Sequence, residues 1–113
     1  MAVTGAGGRR AFVIGVRPEK LEEYRRLHAA VWPEVLQQIH ECNIRNDSIY
    51  YRDGLLFAYL EYVGADWDAD QARMAEHEPT RRWWELTDPC QEPVPSAGPD
   101  ERWAPMEEVF HTP

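Results

Sequence analysis

Basic charge is scarce in this chain. Twelve lysines and arginines stand against twenty aspartates and glutamates, a net charge of −8, and the basic residues sit among acids, as in EEYRRL and PTRRWWEL. Phosphate backbones are bound by basic stripes, so no nucleic-acid partner is expected. Long apolar runs are missing too: none approaches the roughly 18 to 20 residues that cross a bilayer, and no membrane partner is expected. The opening MAVTGAGGRR has two arginines but no apolar stretch ahead of a cleavage site. Residues 1–9 therefore read as a loose leader rather than a secretion signal, with the cytoplasm as the expected location. Cysteine is limited to Cys42 and Cys90, with no CxxC, which fits buried, reduced thiols. His40, His77 and His111 lack metal-ligand spacing, and there is no HExxH, cysteine cluster, phosphate-cradling glycine loop or nucleophile elbow. No metal or nucleotide cofactor is expected.

What the chain does have suits one soluble domain. Its 113 residues are 43% hydrophobic and 28% charged, enough for a single core and too few for two, so residues 10–113 are read as one unit. Aromatics are the unusual component: five tryptophans, two of them adjacent. Tryptophan joins a broad apolar face to one N–H donor, a combination suited to cores, oligomer interfaces and carbohydrate pockets alike.

The pattern along the chain alternates between two periods. Arg10–Arg17, RAFVIGVR, reads as a buried strand. Pro18 opens a helical region reaching about Cys42, with Leu21, Tyr24, Val31, Trp32, Val35, Leu36 and Ile39 as its apolar stripe. Pro33 interrupts that stripe, predicting a bend near Ala29 or two helical pieces. Ile44–Arg52 and Leu55–Val63 read as strands joined at Asp53-Gly54, a strong hairpin signal. A second helix is expected from Trp67 to about His77, with Pro79 separating it from a further turn or two through TRRWWEL. DPCQEPVPSAGPDERWAP reads as loop and MEEVFHT as a short last strand. The order β-α-β-β-α-β predicts an α+β, ferredoxin-like antiparallel sheet with helices on one face. The face without helices would expose apolar residues, so two copies are expected to pair sheet to sheet as a homodimeric α+β barrel.

Two groups of residues are candidates for chemistry. Tyr24, His28 and Trp32 are spaced i, i+4, i+8 and share one helix face. Against a packed core His28 would be a structural histidine with a hydrogen-bond partner. Against a cavity, the same spacing presents a phenol, an imidazole and an indole, and the imidazole is the natural proton carrier near neutral pH. In Arg82-Trp83-Trp84 the two indoles point about 100° apart, so one can pack while the other lines a pocket or an interface.

These pieces together resemble the L-rhamnose mutarotase family. The resemblance is carried by AFVIGVRPEKLEEYRRLHAAVWPEV at Ala11–Val35, SIYYRDGLLFAYLEY at Ser48–Tyr62, RWW at Arg82–Trp84 and MEEVFH at Met106–His111. It spans about residues 10 to 112 and is specific in combination: Y-x3-H-x3-WP with the late RWW and EVF. The resemblance implies that His28 is the general acid, that Tyr24 binds substrate, and that Trp83 and Trp84 contact the sugar. It also draws attention to Asp47, which stands where family members often carry a sugar-contacting tyrosine. A carboxylate there replaces an aromatic surface with a hydroxyl-binding acceptor.

The expected function is thus interconversion of the α and β anomers of L-rhamnose, through an open-chain aldehyde, by acid/base-assisted ring opening. Such an isomerase needs no cofactor, and a monosaccharide is its small-molecule partner. L-fucose or another 6-deoxyhexose remains an alternative substrate, given Asp47. A non-catalytic, ligand-binding dimeric α+β barrel is the alternative of a different class; it would show His28 packed with no cavity beside it.

Overall fold

The computed structural model describes residues 8–113. The leader expected over residues 1–9 lies outside the described residues as far as residue 7, and Arg9 already belongs to the first strand. In chain order the elements are β1 (Arg9–Val16), α1 (Leu21–His28), α2 (Pro33–Glu41), β2 (Ile44–Arg52), β3 (Leu55–Tyr62), α3 (Trp67–Glu76), α4 (Glu78–Thr87), β4 (Gln91–Glu92) and β5 (Ala104–Met106). The sheet runs β2-β3-β1-β4 with β5 also on β1, and every pairing is antiparallel. This is the ferredoxin-like arrangement, with its outer strand in two pieces.

Those two pieces differ from the sequence expectation. Gln91–Glu92, read as loop, pairs with Gly15 and Val16. Gly15 permits that approach, because a Cβ there would lie 2.7 Å from the Glu92 carbonyl oxygen. The expected last strand, Met106–Thr112, is instead Ala104–Met106, and the chain beyond it has no regular structure. Pro105, which lacks an N–H, is tolerated there because β5 is bonded on one side only, to β1.

Pro33 divides the first helical region rather than bending it. Trp32 adopts φ −62° and ψ 137°, since the residue before a proline is driven out of the helical region. Pro33 then opens α2, where a missing N–H costs nothing. His28 is therefore the last residue of α1. Asp66 caps α3 by accepting from the Ala69 N–H at 3.0 Å.

Two local devices fix β2 against β3. Asp53 (φ 51°) and Gly54 (φ 82°) both take positive φ, the requirement of a two-residue hairpin turn, with Arg52 opposite Leu55. At the far end the register shifts between Arg45, opposite Glu61, and Ser48, opposite Tyr59. Three steps on β2 thus match two on β3, a one-residue bulge, with Asn46 at φ 52°. Side chains alternate faces along a strand, so the bulge exchanges the parity. Ile44 points to the helical side before it; Ile49 and Tyr51 do so after it, opposite Ala58 and Leu56.

The helical face of the sheet carries two core clusters. One joins Ile14, Val16, Leu56, Tyr24 and Cys90; the other joins Ile44, Leu60, Tyr62, Cys42 and Met74. Both cysteines are buried and unpaired, as expected. Beyond the second cluster, Asp70 accepts from Tyr62 Oη at 2.5 Å, Asn43 Nδ2 at 2.9 Å and Arg73 Nη2 at 2.8 Å. These donors hold its carboxyl down at about 2 and tie the end of α2 to β3 and α3.

Candidate active site

A cavity of about 1010 Å³ opens between the helices and the sheet and is lined by members of both core clusters. It lies at the upper end of the range for small-molecule sites. All five residues to which the resemblance points line it: Tyr24 and His28 from α1, Asp47 from β2, and Trp83 and Trp84 from α4. Trp32 does not line it; it packs edge-on against Trp83, with ring centroids 5.3 Å apart.

His28 is held by two neighbours, Tyr24 and Trp83. Its ring lies 4.2 Å from the Tyr24 ring and 5.4 Å from that of Trp83, the latter at 72°. Its Nδ1 is 2.9 Å from the Tyr24 backbone carbonyl one turn earlier. A carbonyl only accepts, so Nδ1 carries the hydrogen and donates it, and in the neutral ring Nε2 holds the lone pair. Burial lowers the His28 pKa below its usual 6.5, and the bond to the Tyr24 carbonyl opposes this only in part. At neutral pH the ring, which lines the cavity, is therefore unprotonated at Nε2.

Tyr24 is buried, and desolvation pushes its phenol up to about 12, against the opposing influence of the Gln91 hydrogen bond. It is a neutral O–H group. Gln91 Nε2 donates to its oxygen at 3.2 Å. Asp47 follows Asn46 in the β-bulge, and the parity change brings it onto the cavity side of the sheet. Its carboxyl is raised above the ordinary value by desolvation, and its charge is felt at Tyr24. The two indoles divide as their spacing predicts. Trp83 is 6% exposed and supports His28 and Trp32; Trp84 is only partly buried, against the Met74 cluster.

Sequence reasoning missed Gln91 and Arg102. Both line the cavity and both lie in the proline-rich stretch read as loop. Neither belongs to a periodic pattern, so nothing but the fold brings Gln91 to Tyr24, 67 residues earlier. Among the described residues, no group of three or more His, Cys, Asp or Glu side chains is placed to hold a metal. Among them, too, no helix is long and apolar enough to cross a membrane.

The sequence profile of L-rhamnose mutarotase matches residues 9–112. The chain belongs to the L-rhamnose mutarotase family. A mutarotase is an isomerase that interconverts sugar anomers. The L-rhamnose mutarotase of Shigella flexneri serotype 5b is 34% identical over 111 residues, covering 93% of this chain and 98% of its own. That of Jannaschia sp. is 31% identical over 105 residues, covering 91% and 96%. Among solved structures, the L-rhamnose mutarotase of Formosa agariphila superposes with a TM-score of 0.71 at 24% identity, over 93% of this chain and 98% of that one. Tetracenomycin F2 cyclase of Streptomyces glaucescens, a polyketide cyclase, gives 0.67 at 15% identity over 92% and 94%. At these identities the two structures show the shared α+β fold alone.

Proposed function

We propose that this member of the family is itself an L-rhamnose mutarotase, with His28 as the proton carrier. The observation that carries the reading is the tautomer set by Nδ1–H bound to the Tyr24 carbonyl, which leaves Nε2 unprotonated on a ring lining a cavity shared with a phenol, a carboxylate and indoles.

In the cyclic sugar the anomeric oxygen and the ring oxygen are both bonded to C1, so one positioned nitrogen serves both. Nε2 takes the proton from the anomeric hydroxyl. The C1–ring oxygen bond breaks, C1 becomes the aldehyde carbon, and the ring oxygen takes the proton back from Nε2. Rotation about C1–C2 presents the other face of the carbonyl, and the same steps in reverse close the ring as the other anomer. The resemblance implies that His28 is the general acid; here its donation of the proton, to the ring oxygen, is the second half of its cycle. No proton is gained or lost. A positioned acid–base group of this kind contributes roughly 10² to 10⁴-fold.

Tyr24 supports the step by donating its O–H to a sugar oxygen, and Asp47 accepts sugar hydroxyls. Trp84, with the exposed part of Trp83, packs against the apolar face of the sugar and its methyl group. The reading extends to assembly and location. The row Val13, Phe57 and Tyr50 alternates with the helix-facing row and crosses the other side of the sheet; Tyr50, which also borders the cavity, is 67% exposed. A second copy covering this face as a homodimer accounts for it. Two buried thiols without a partner support a reducing compartment, the cytoplasm, and a net charge of −8 gives no support to nucleic acid or an anionic membrane as partner.

The test is magnetisation exchange between the α and β anomeric proton signals of L-rhamnose and, separately, L-fucose. Accelerated exchange of L-rhamnose is the expected result. Acceleration of L-fucose alone would transfer the function to the other sugar, and acceleration of neither would remove it.

A further inference from the structure

Resting on the reading of Tyr24 as a donor to the sugar, we propose that Gln91 and Arg102 are positioning residues that force the Tyr24 hydroxyl to donate into the cavity. Arg102 Nη2 lies 3.2 Å from Gln91 Oε1 and 3.0 Å from the Asp88 carbonyl oxygen, and Arg102 Nε is 3.8 Å from the Asp88 carboxylate. A guanidinium has donors only. The atom of Gln91 facing it must be the carbonyl oxygen, so the two ends of the amide are distinguished by chemistry. The amide –NH2 is then the end that meets Tyr24 Oη, at 3.2 Å.

That polarity decides what Tyr24 can do. A phenol has one hydrogen and accepts through its oxygen lone pairs. With Gln91 donating to the oxygen, the single O–H cannot be returned to Gln91 and is directed elsewhere in the cavity that Tyr24 lines. Turned over, the amide would present Oε1 to Tyr24, absorb its hydrogen and silence it toward a ligand. Arg102 prevents that inversion by holding Oε1.

The surrounding fold serves this arrangement. Gln91 is buried at 5% exposure and fixed by the pairing of β4 with β1. The loop between β4 and β5 turns at Gly98, whose N–H donates to Glu101 Oε1 at 2.8 Å, and returns Arg102 onto Asp88 and Gln91. The proline-rich segment, which the main site leaves without a role, thus has one: it completes the clamp behind Tyr24.

The decisive variant is Gln91→Glu, similar in shape and still able to pair with Arg102, but an acceptor at both oxygens toward Tyr24. The anomer exchange rate of L-rhamnose should fall about 3- to 10-fold, the worth of one hydrogen bond, with the melting temperature little changed. Tyr24→Phe should cause a loss of similar size, and the double variant should lose no more than either single one. Equal rates for Gln91→Glu and wild type, or losses that multiply in the double variant as an added charge alone would produce, would overturn the inference. Arg102→Met, at a half-exposed position, supplies a second route: by freeing the amide to turn over, it should also slow exchange, and only if Tyr24 is present. A readout independent of activity is the Gln91 side-chain amide signal in ¹⁵N NMR, one proton of which should shift and exchange faster in Tyr24→Phe. An unmoved signal contradicts the clamp. An inactive wild type with a shifted signal would defeat the mutarotase reading while leaving the clamp standing.

Discussion

At the scale of single residues, the reading turns on which nitrogen of His28 bears hydrogen. The Tyr24 carbonyl at 2.9 Å fixes that, and burial then depresses the ring's pKa below 6.5. The form required at the start of the cycle is the neutral one. The rate of anomer exchange is therefore expected to rise with pH through the depressed pKa and to be level by pH 7. A rate that falls as pH rises through the same range would mean that the cation is the active form and that the first proton moves the other way. The position of His28 was legible in the sequence because a histidine within an apolar stripe, one turn after Tyr24, has to be explained. Its tautomer was not, since that depends on the backbone carbonyl one turn back meeting the ring at hydrogen-bond distance.

At the scale of elements, the bulge in β2 does most to assemble the site. Asp47, Ile49 and Tyr51 line the cavity together with Ile44 although their sequence parity differs from it. The imperfect alternation of IRNDSIYYR was visible, but a sequence does not show where the extra residue is absorbed. Asn46, in a left-handed conformation that asparagine tolerates, is that place. Deleting Asn46 removes the extra step and turns either the residues before it or those after it to the wrong face. The expected outcome is loss of anomer exchange by more than about 10²-fold with a lowered melting temperature, checked by kinetics and circular dichroism. Unchanged activity would contradict the role given to the bulge. The helix division at Pro33 and the Asp53-Gly54 turn were both legible, because proline and paired positive-φ residues act locally. Strand β4 was not: two residues held by β1 and admitted by Gly15 leave no periodic trace. The early end of the last strand was also hidden, since MEEVFHT carries the composition of a strand without a neighbour to pair with.

At the scale of the whole molecule, a face of the sheet without helices is matched by exposed Tyr50 and by Val109 and Phe110 beyond β5, the last two 89% and 79% exposed. A homodimer that buries Tyr50 is expected, so Tyr50→Glu should shift the wild-type sedimentation coefficient toward that of a monomer; a monomeric wild type would refute the pairing. The acid limit of stability belongs to this scale as well. Asp70, at about 2 in the folded chain against roughly 3.9 unfolded, contributes stability that is full above pH 4 and lost as pH falls through about 2. In Asp70→Asn that part of the acid-unfolding curve should disappear, and a curve identical in shape to the wild type would contradict it. The activity itself is tested most directly by exchange between the anomeric signals of L-rhamnose, with wild-type protein and His28→Ala compared at equal concentration and pH 7, alongside their melting curves. Acceleration by the wild type, reduced about 10² to 10⁴-fold in a variant that still melts cooperatively, is the predicted result. Acceleration that survives the loss of His28 would contradict the account.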